Sequence, residues 1–490
     1  MPDLAPSPAP SLYVLLPARD EELEAVRGAR MDFCWKLVFL AVALSPLVNL
    51  WASPTGFDEA NMEPPSAADP EALLRLRGAV VVGVAFAAGV FAIFSGSAKP
   101  GGHAVCLGGL AFASTSVLSG IFGLEPGLRN TLLVLPVMFG VVYVLPPIPL
   151  SAFGTMVKKV AYFYTYGTLV ALLVSPDRVL ETNYAGWIPG FTYRLHGLAL
   201  HANGFAPLLV TYFLVRLFLD DRKGKWNFHD LAVFGVLLFA QSKMALGALL
   251  LSSVVALQEF GTYRLPQIRW LVVLASILLA VFLTSLDGTT DVPILTDIAK
   301  AISPNSMSTV TTLTGRTQVW NETARLAALN PWFGYGPSLW DVSMQERYLP
   351  ILGWEPPQAH SQYYQTLGEG GYVGLTGMFI YVTCFTVTSL RLGNRFPMAP
   401  CFVAMMIARG NTETVLSGSL DGAFLLHFWL FSFLTLAVKQ PKQVEEAKVE
   451  APQPALPRPI KLNYTPRPRR PMIPLPPESL TEEGLEGSLA

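Results

Sequence analysis

Arg194, Lys243, Arg316 and Arg409 are cations on four separate polar segments of an otherwise largely apolar chain, and His360 shares the longest of these segments with Arg316. They stand in Tyr193-Arg194-Leu195-His196-Gly197, which runs on to His201-Ala202-Asn203-Gly204, and in Gln241-Ser242-Lys243. The others are in Thr314-Gly315-Arg316-Thr317-Gln318-Val319-Trp320, in Ala359-His360-Ser361-Gln362-Tyr363-Tyr364, and in the turn that holds Arg409 and Glu413. The cations outnumber any obvious carboxylate partners close to them in sequence. Brought together, they could hold a multiply charged anion, and a histidine titrating near neutrality could accept a proton from a sugar hydroxyl. That they converge in space is an expectation.

Arg316 has the clearest local setting. Thr314 can cap a helix running to about Leu329, which Asn330-Pro331 ends. Val319, Trp320, Thr323 and Ala327 share one face, the pattern of a helix lying along a membrane surface. Arg316 is one turn before Trp320 on that face, at the positive end of the helix, where a cation is mildly unfavourable. An incoming diphosphate would reverse the sign, meeting free backbone N–H groups and a guanidinium fork together. Interfacial snorkelling or a salt bridge within the loop would use the same residue.

His360 follows Pro356-Pro357 and precedes a short Tyr363/Tyr364-bearing segment that breaks at Gly370-Gly371. Taken alone, it fits a satisfied hydrogen-bonder as well as a proton acceptor. Asp421 and His427 fall within the last apolar run. Intramembrane ionisable groups invite a functional reading, but a bond to a neighbouring helix would serve His427 equally.

The elements that must position these groups are membrane helices. Of 490 residues, 52% are hydrophobic and 14% charged, against about 25% charged in soluble domains. The expected fold is an all-α polytopic bundle. A formal net charge of −1 speaks against a nucleic-acid partner. Cys34, Cys106, Cys384 and Cys401 lie in apolar runs and imply no disulfide framework. The histidines and cysteines show no metal-ligand spacing, so neither metal nor cofactor is expected.

A bilayer core takes about 20 apolar residues as helix. Spans are expected near 32–51, 78–96, 103–123, 130–148, 157–175, 202–219, 228–241, 243–258, 269–286, 371–390, 398–409 and 416–438. Charge arbitrates the ambiguous stretch 228–260. With the amino terminus inside, Lys99, Lys158, Lys159, Arg222, Lys223, Lys225, Arg264, Arg269, Arg391, Arg395, Lys439 and Lys442 all fall in inner loops only if the chain crosses twice there. Twelve spans with both termini cytoplasmic follow. The first outer loop is acidic (Asp58, Glu59, Glu63, Asp69, Glu71) and the long insert 287–370, with amphipathic helices, is periplasmic. Residues 1–31 lack the pattern of a cleaved signal and are read as a cytosolic amino-terminal segment. Residues 439–490 are proline-rich with the basic run Arg467-Pro468-Arg469-Arg470, the composition of a disordered cytosolic tail. Such a tail is either merely solvated or docks to an aromatic groove or anionic lipid. Gly368-x-Gly370-Gly371-x-x-Gly374 imitates a dinucleotide loop, but no strand precedes it, and small residues there let a helix enter the bundle.

Taken together, these pieces resemble the O-antigen ligase and O-antigen/exopolysaccharide polymerase superfamily of bacterial inner membranes. They are Arg194-Leu195-x-Gly197 with Asn203, Ser242-Lys243, Gly315-Arg316-Thr317-x-x-Trp320, Asn330-Pro331-x-x-Gly334-x-Gly336, and His360-Ser361-x-Tyr363 leading to Leu367-x-Glu369-x-Gly371. The motifs cover roughly residues 190–390. The chain departs from the family at Ser361, where Asn is common, and at Lys243, where Arg is common; Lys keeps the charge but loses the bidentate fork.

The resemblance implies a metal-independent glycosyl transfer from an undecaprenyl-diphosphate-linked glycan, with a second glycan or lipid A–core as acceptor. Arg194 and Arg316 match the family's diphosphate-binding arginines, with Lys243 and Arg409 as further cations, and His360 matches the histidine that activates or orients the acceptor. Membrane lipids, and a chain-length regulator or export complex, are the partners such an enzyme would meet. The expected function is polymerisation of exopolysaccharide or O-antigen repeat units. The alternatives are an O-antigen ligase, a lipid-linked-oligosaccharide transporter or flippase, which would carry its polar groups near the bilayer midplane, and a non-catalytic scaffold.

Overall fold

The computed structural model describes residues 16–48, 70–127, 131–182, 184, 188, 191–199, 201–220, 226–260, 271, 274–275, 316–341, 344, 347–348, 356, 358–416 and 420–441. Apolar stretches without water must satisfy their backbone groups internally, and nearly all the described chain does so as helix. The helices are α1 (Leu16–Leu44), α2 (Pro70–Phe94), α3 (His103–Phe122), α4 (Thr131–Val144), α5 (Leu150–Val174) and α6 (Ala202–Phe218). They continue with α7 (Phe228–Phe239), α8 (Lys243–Phe260), α9 (Arg316–Ala327), α10 (Gln362–Leu392), α11 (Met398–Gly410) and α12 (Gly422–Lys439). Four, α2, α3, α10 and α12, contain stretches long and apolar enough to cross a membrane, and α4, α6, α7, α8 and α11 supply shorter apolar helices. Each expected span with described residues coincides with a helix, except 269–286, of which only three residues are described. Thr314, Gly315, the acidic first outer loop and the proline-rich tail also lie outside the described residues.

Three boundaries differ from expectation. α1 begins at Leu16, inside the segment read as a cytosolic lead, because residues 16–30 are rich in Leu, Ala, Glu and Arg, all good helix formers. α10 begins at Gln362 and absorbs the Tyr363/Tyr364 segment into the following helix. Asp421, expected within the last span, instead caps α12 from outside, accepting the backbone N–H groups of Ala423 and Phe424 at 2.9 Å each.

α11 and α12 form the centre. Every residue of α11, and every residue of α12 from Gly422 to Ala437, is buried. α6 packs on both, α8 and α10 pack on α11, and α3 lies along α10. On the outer helices the pattern inverts: Phe94 is 87% and Leu173 86% exposed, the distribution expected where lipid is the solvent. His427, inside α12, bonds the Tyr381 hydroxyl of α10 at 2.6 Å, so the neighbouring-helix reading holds for it.

The bundle has two chemically distinct ends. Where α4, α6 and α12 finish, Lys439 donates to the carbonyls of Val142, Tyr143 and Leu145 at 2.7–2.9 Å and closes the last turn of α4. Arg216 is forked onto Asp230, and Lys158 meets Asp220 at 2.8 Å at this same end. At the other end α6, α8, α10 and α12 begin and α11 finishes. There the first turns of α6 and α12 touch backbone to backbone: a Cβ on Gly422 would come within 3.0 Å of the Gly204 carbonyl oxygen.

The break in α10 belongs to this second end. Gly371 has φ 57° and ψ −154°, a region reserved for glycine. The opened turn accepts a second backbone segment. Tyr335 N–H donates to Gly368 O at 2.7 Å, Tyr372 N–H to Pro331 O at 2.8 Å, and Val373 N–H to Trp332 O at 3.0 Å. The Asn330–Gly336 segment is thus stitched into α10 just beyond α9.

A Cβ at Gly371 would lie 2.5 Å from Pro331 O and 2.6 Å from Trp332 C, whereas one at Gly370 would meet nothing within 4 Å. Gly371→Ala is therefore expected to lower the thermal transition of the purified protein, at a cost on the order of 2 kcal/mol, while Gly370→Ala leaves it unchanged. Equal behaviour of the two variants contradicts the stitched break.

Candidate functional site

Arg194 sits in a short extended segment, Arg194–Leu195, paired antiparallel with Leu180–Glu181. This register puts Arg194 opposite Glu181, whose carboxylate lies 3.6 Å from its guanidinium. Arg194 also donates through Nε to Ala240 O at 3.2 Å and through Nη2 to Asn203 Oδ1 at 2.6 Å, and its guanidinium lies 4.6 Å from the centre of the Tyr184 ring. It is buried and almost fully engaged.

Asn203, in the first turn of α6, joins the segments. Its Oδ1 accepts from Arg194 and, at 3.4 Å, from Ser242, while its Nδ2 donates to Glu413 Oε1 at 2.6 Å. Its backbone carbonyl accepts from Arg409 Nη2. Arg409 is 3% exposed, and its Nη1 has no hydrogen-bond partner among the described residues.

Glu413, in the turn after α11, is the hub. Arg316 Nη2 lies 3.3 Å from its Oε1, while His360 Nδ1 lies 3.8 Å and Gln358 Nε2 3.5 Å from its Oε2. α9 sets both Arg316 and the His360 segment. Arg316 is its first residue, and Thr317, Val319, Trp320, Thr323, Leu326 and Ala327 make its buried face. Trp320 donates to Ala359 O at 2.8 Å and stacks on Tyr364 with ring centres 5.0 Å apart and planes 6° apart. His360 is held at φ 50°, uncommon for a residue with a Cβ, one step before the cap of α10.

The four outer segments do converge, with one exception. Arg194, Arg316, Arg409 and His360 gather around Asn203 and Glu413. Lys243 begins α8 and is exposed, while its neighbour Ser242 makes the contact to Asn203. Arg316 has the more open guanidinium, 17% exposed against 9% for Arg194. Sequence reasoning placed Glu413 in this turn without giving it partners. Its bonds reach residues 97 and 210 positions away, a separation that no local pattern reports.

The electrostatics favour an anion. Arg194, Arg316 and Arg409 present three guanidinium forks there, shared with Glu181, Glu413 and, acting on Arg409 from the start of α12, Asp421. Burial alone would raise the Glu413 carboxyl. The neighbouring His360, Arg316 and His201 outweigh burial and hold it well below the usual carboxylate range. His201 caps α6 by accepting Asn203 N–H at its Nδ1, 3.2 Å away. Burial pushes it down to about 3, with Glu413 opposing and Arg194, His360 and Arg316 assisting. Burial likewise pushes His196 down to about 4.

Residues 230–379, which hold Lys243, Arg316 and His360, match the family model described as O-Antigen ligase. That match supports the O-antigen ligase and polymerase superfamily. With the apolar helices it supports a multi-pass membrane glycan transferase of that general type. No curated protein matches it. Arg194, Asn203, Arg409 and Glu413 lie outside the matched segment but complete the same cluster.

His196 and His201 carry folded values below the ordinary 6.5. The unfolded chain therefore takes up protons first, and their stabilisation is complete above about pH 6.5 and lost as pH falls towards 4, at roughly 1.4 kcal/mol per pH unit for each. The thermal transition is expected to fall between pH 7 and pH 4.5, and His196→Asn is expected to flatten that slope. A transition constant across this range, or a slope unaltered in the variant, contradicts neutral histidines beneath the cluster.

Proposed function

We propose that the chain transfers a glycan from an undecaprenyl-diphosphate carrier to an acceptor hydroxyl at the periplasmic face of the inner membrane. The observation that carries this is one cluster in which Arg194, Arg316 and Arg409 gather on Asn203 and Glu413, with His360 at its edge. Arg316, the more exposed guanidinium, grips the diphosphate, with Arg409 buried beside it. His360 takes the proton of the acceptor hydroxyl as its oxygen attacks the anomeric carbon. The bond from that carbon to the diphosphate breaks, and the electron pair leaves with the phosphate oxygen. Guanidinium groups aimed at this developing charge stabilise it more in the transition state than in the ground state. No step asks for a metal.

The two ends of the bundle support the orientation. Lys158, Arg216, Arg395 and Lys439 collect at the end away from the cluster. α6 separates the two ends by its 17 residues, roughly 25 Å of helix. By the positive-inside rule that basic end faces the cytoplasm, which leaves the cluster outside.

Polymerisation of repeat units is the preferred reading, on the Thr314-Gly315-Arg316-Thr317-x-x-Trp320 form of the motif. O-antigen ligation is the second, favoured by the description of the matched family.

Arg316→Ala and His360→Ala are each expected to cut polymer yield at least about 100-fold while membrane levels of the protein stay near normal and lipid-linked units accumulate. Undiminished polymer from either variant overturns its role. Offering the purified enzyme lipid-linked units with and without lipid A–core separates the readings: a lengthening lipid-linked chain supports a polymerase, and glycan on lipid A–core a ligase.

A further inference from the structure

Glu413 presents its two oxygens to two different jobs. Oε1 faces Arg316 at 3.3 Å and Asn203 at 2.6 Å; Oε2 faces His360 at 3.8 Å and Gln358 at 3.5 Å. The distances are uneven. Asn203 holds the carboxylate firmly, whereas the Arg316 contact is long for a charged pair and the His360 contact is longer still. One buried negative charge is thus shared between the cation that would grip the leaving diphosphate and the histidine that would take the acceptor's proton.

We infer that Glu413 is a positioning residue that couples donor seating to acceptor activation. When a diphosphate engages Arg316, the guanidinium exchanges Glu413 for phosphate oxygens, and the carboxylate is free to close on His360 Nδ1–H. That contact fixes the ring so that Nε2, the only other nitrogen, carries the lone pair facing the acceptor. A carboxylate behind the ring also stabilises the imidazolium that forms when the hydroxyl proton arrives. The proton ends on Nε2, the acceptor oxygen forms the new bond to the anomeric carbon, and the diphosphate leaves with its electron pair. With the donor absent, Arg316 retains its share of the carboxylate and His360 is the weaker base.

The surroundings fit this assignment. Asn203 stays on Oε1 in both arrangements, so the side chain pivots about a fixed point. The charged and titratable groups that act on the carboxylate are Arg316, His360, His201 and, from the end of α11, Arg409. The loop that carries Glu413 is pinned on both sides: Glu413 N–H donates to Arg409 O at 2.9 Å, and beyond it Thr414 bonds Gln358 and Leu416 N–H donates to Gln362 Oε1 at 2.7 Å. Only the carboxylate is left to move.

This inference rests on the proposed transfer from a lipid diphosphate, and the test separates the two. Binding of inorganic diphosphate to the purified full-length protein is measured by calorimetry, and the rate of glycan transfer is followed from pH 5 to 9, in wild type, Glu413→Gln and Glu413→Asp. Glu413→Gln removes the competitor for Arg316, so diphosphate is expected to bind as tightly as in wild type or tighter. Transfer is expected to fall about 10- to 100-fold, with the acidic limb of its pH profile shifted to lower pH. Glu413→Asp keeps the charge but withdraws it from His360, and is expected to slow transfer with binding unchanged; it also serves if the Gln variant fails to accumulate. Adding Glu413→Gln to His360→Ala is expected to cost nothing further. Parallel loss of binding and rate, or an unmoved pH limb, overturns the coupling. Wild type that fails to bind diphosphate overturns the transfer reading itself, whatever Glu413 does.

Discussion

A single buried carboxylate organises one end of this bundle. Removing a charge from water costs several kcal/mol unless opposite charges and donors replace the lost hydration. Glu413 obtains them from Asn203, from Arg316, and from Gln358 with His360, three separate stretches of chain. Satisfying that charge is what draws the start of α6, the start of α9 and the approach to α10 to the same point. The same meeting point brings three guanidinium groups together, donors whose fork geometry suits a phosphate.

The rest of the fold holds these stretches at fixed height. α11 and α12 fill the centre and end their polar turns at the cluster. α9 is clamped by Trp320 on Ala359 and Tyr364, so Arg316 and His360 move as a unit. The opened turn at Gly371 locks Asn330–Gly336 into α10 and prevents α9 from sliding outward. The residues around Glu413 gather at one end of the helices, whereas a carrier of the alternating-access type concentrates its polar groups at the bilayer midplane.

Much of this was readable from the chain. Apolar length announces helices because the bilayer leaves the backbone no alternative, and loop charge sorted the ends. The cations stood out because little else in the chain is charged. Three features were hidden, each for a physical reason. Glu413 finds its partners across the tertiary fold, where sequence spacing carries no information. Arg194, read as a ligand-gripping cation, is nearly saturated by Glu181, Asn203, Ala240 and Tyr184, a fact that only packing reveals. Lys243, grouped with the cluster by its place in a turn between helices and by the family's Ser-Lys pair, is exposed at the start of α8 while Ser242 makes the contact, a choice between neighbours that only packing reveals.

The account turns on where a lipid diphosphate settles, and a structure of the purified protein with farnesyl diphosphate bound tests it most directly. Phosphate oxygens within hydrogen-bonding distance of Arg316 and of Arg409 Nη1, with Glu413 moved towards His360, are the expected result. A diphosphate bound at the Lys439 end, or a bound ligand that leaves Arg316 still joined to Glu413, would contradict it.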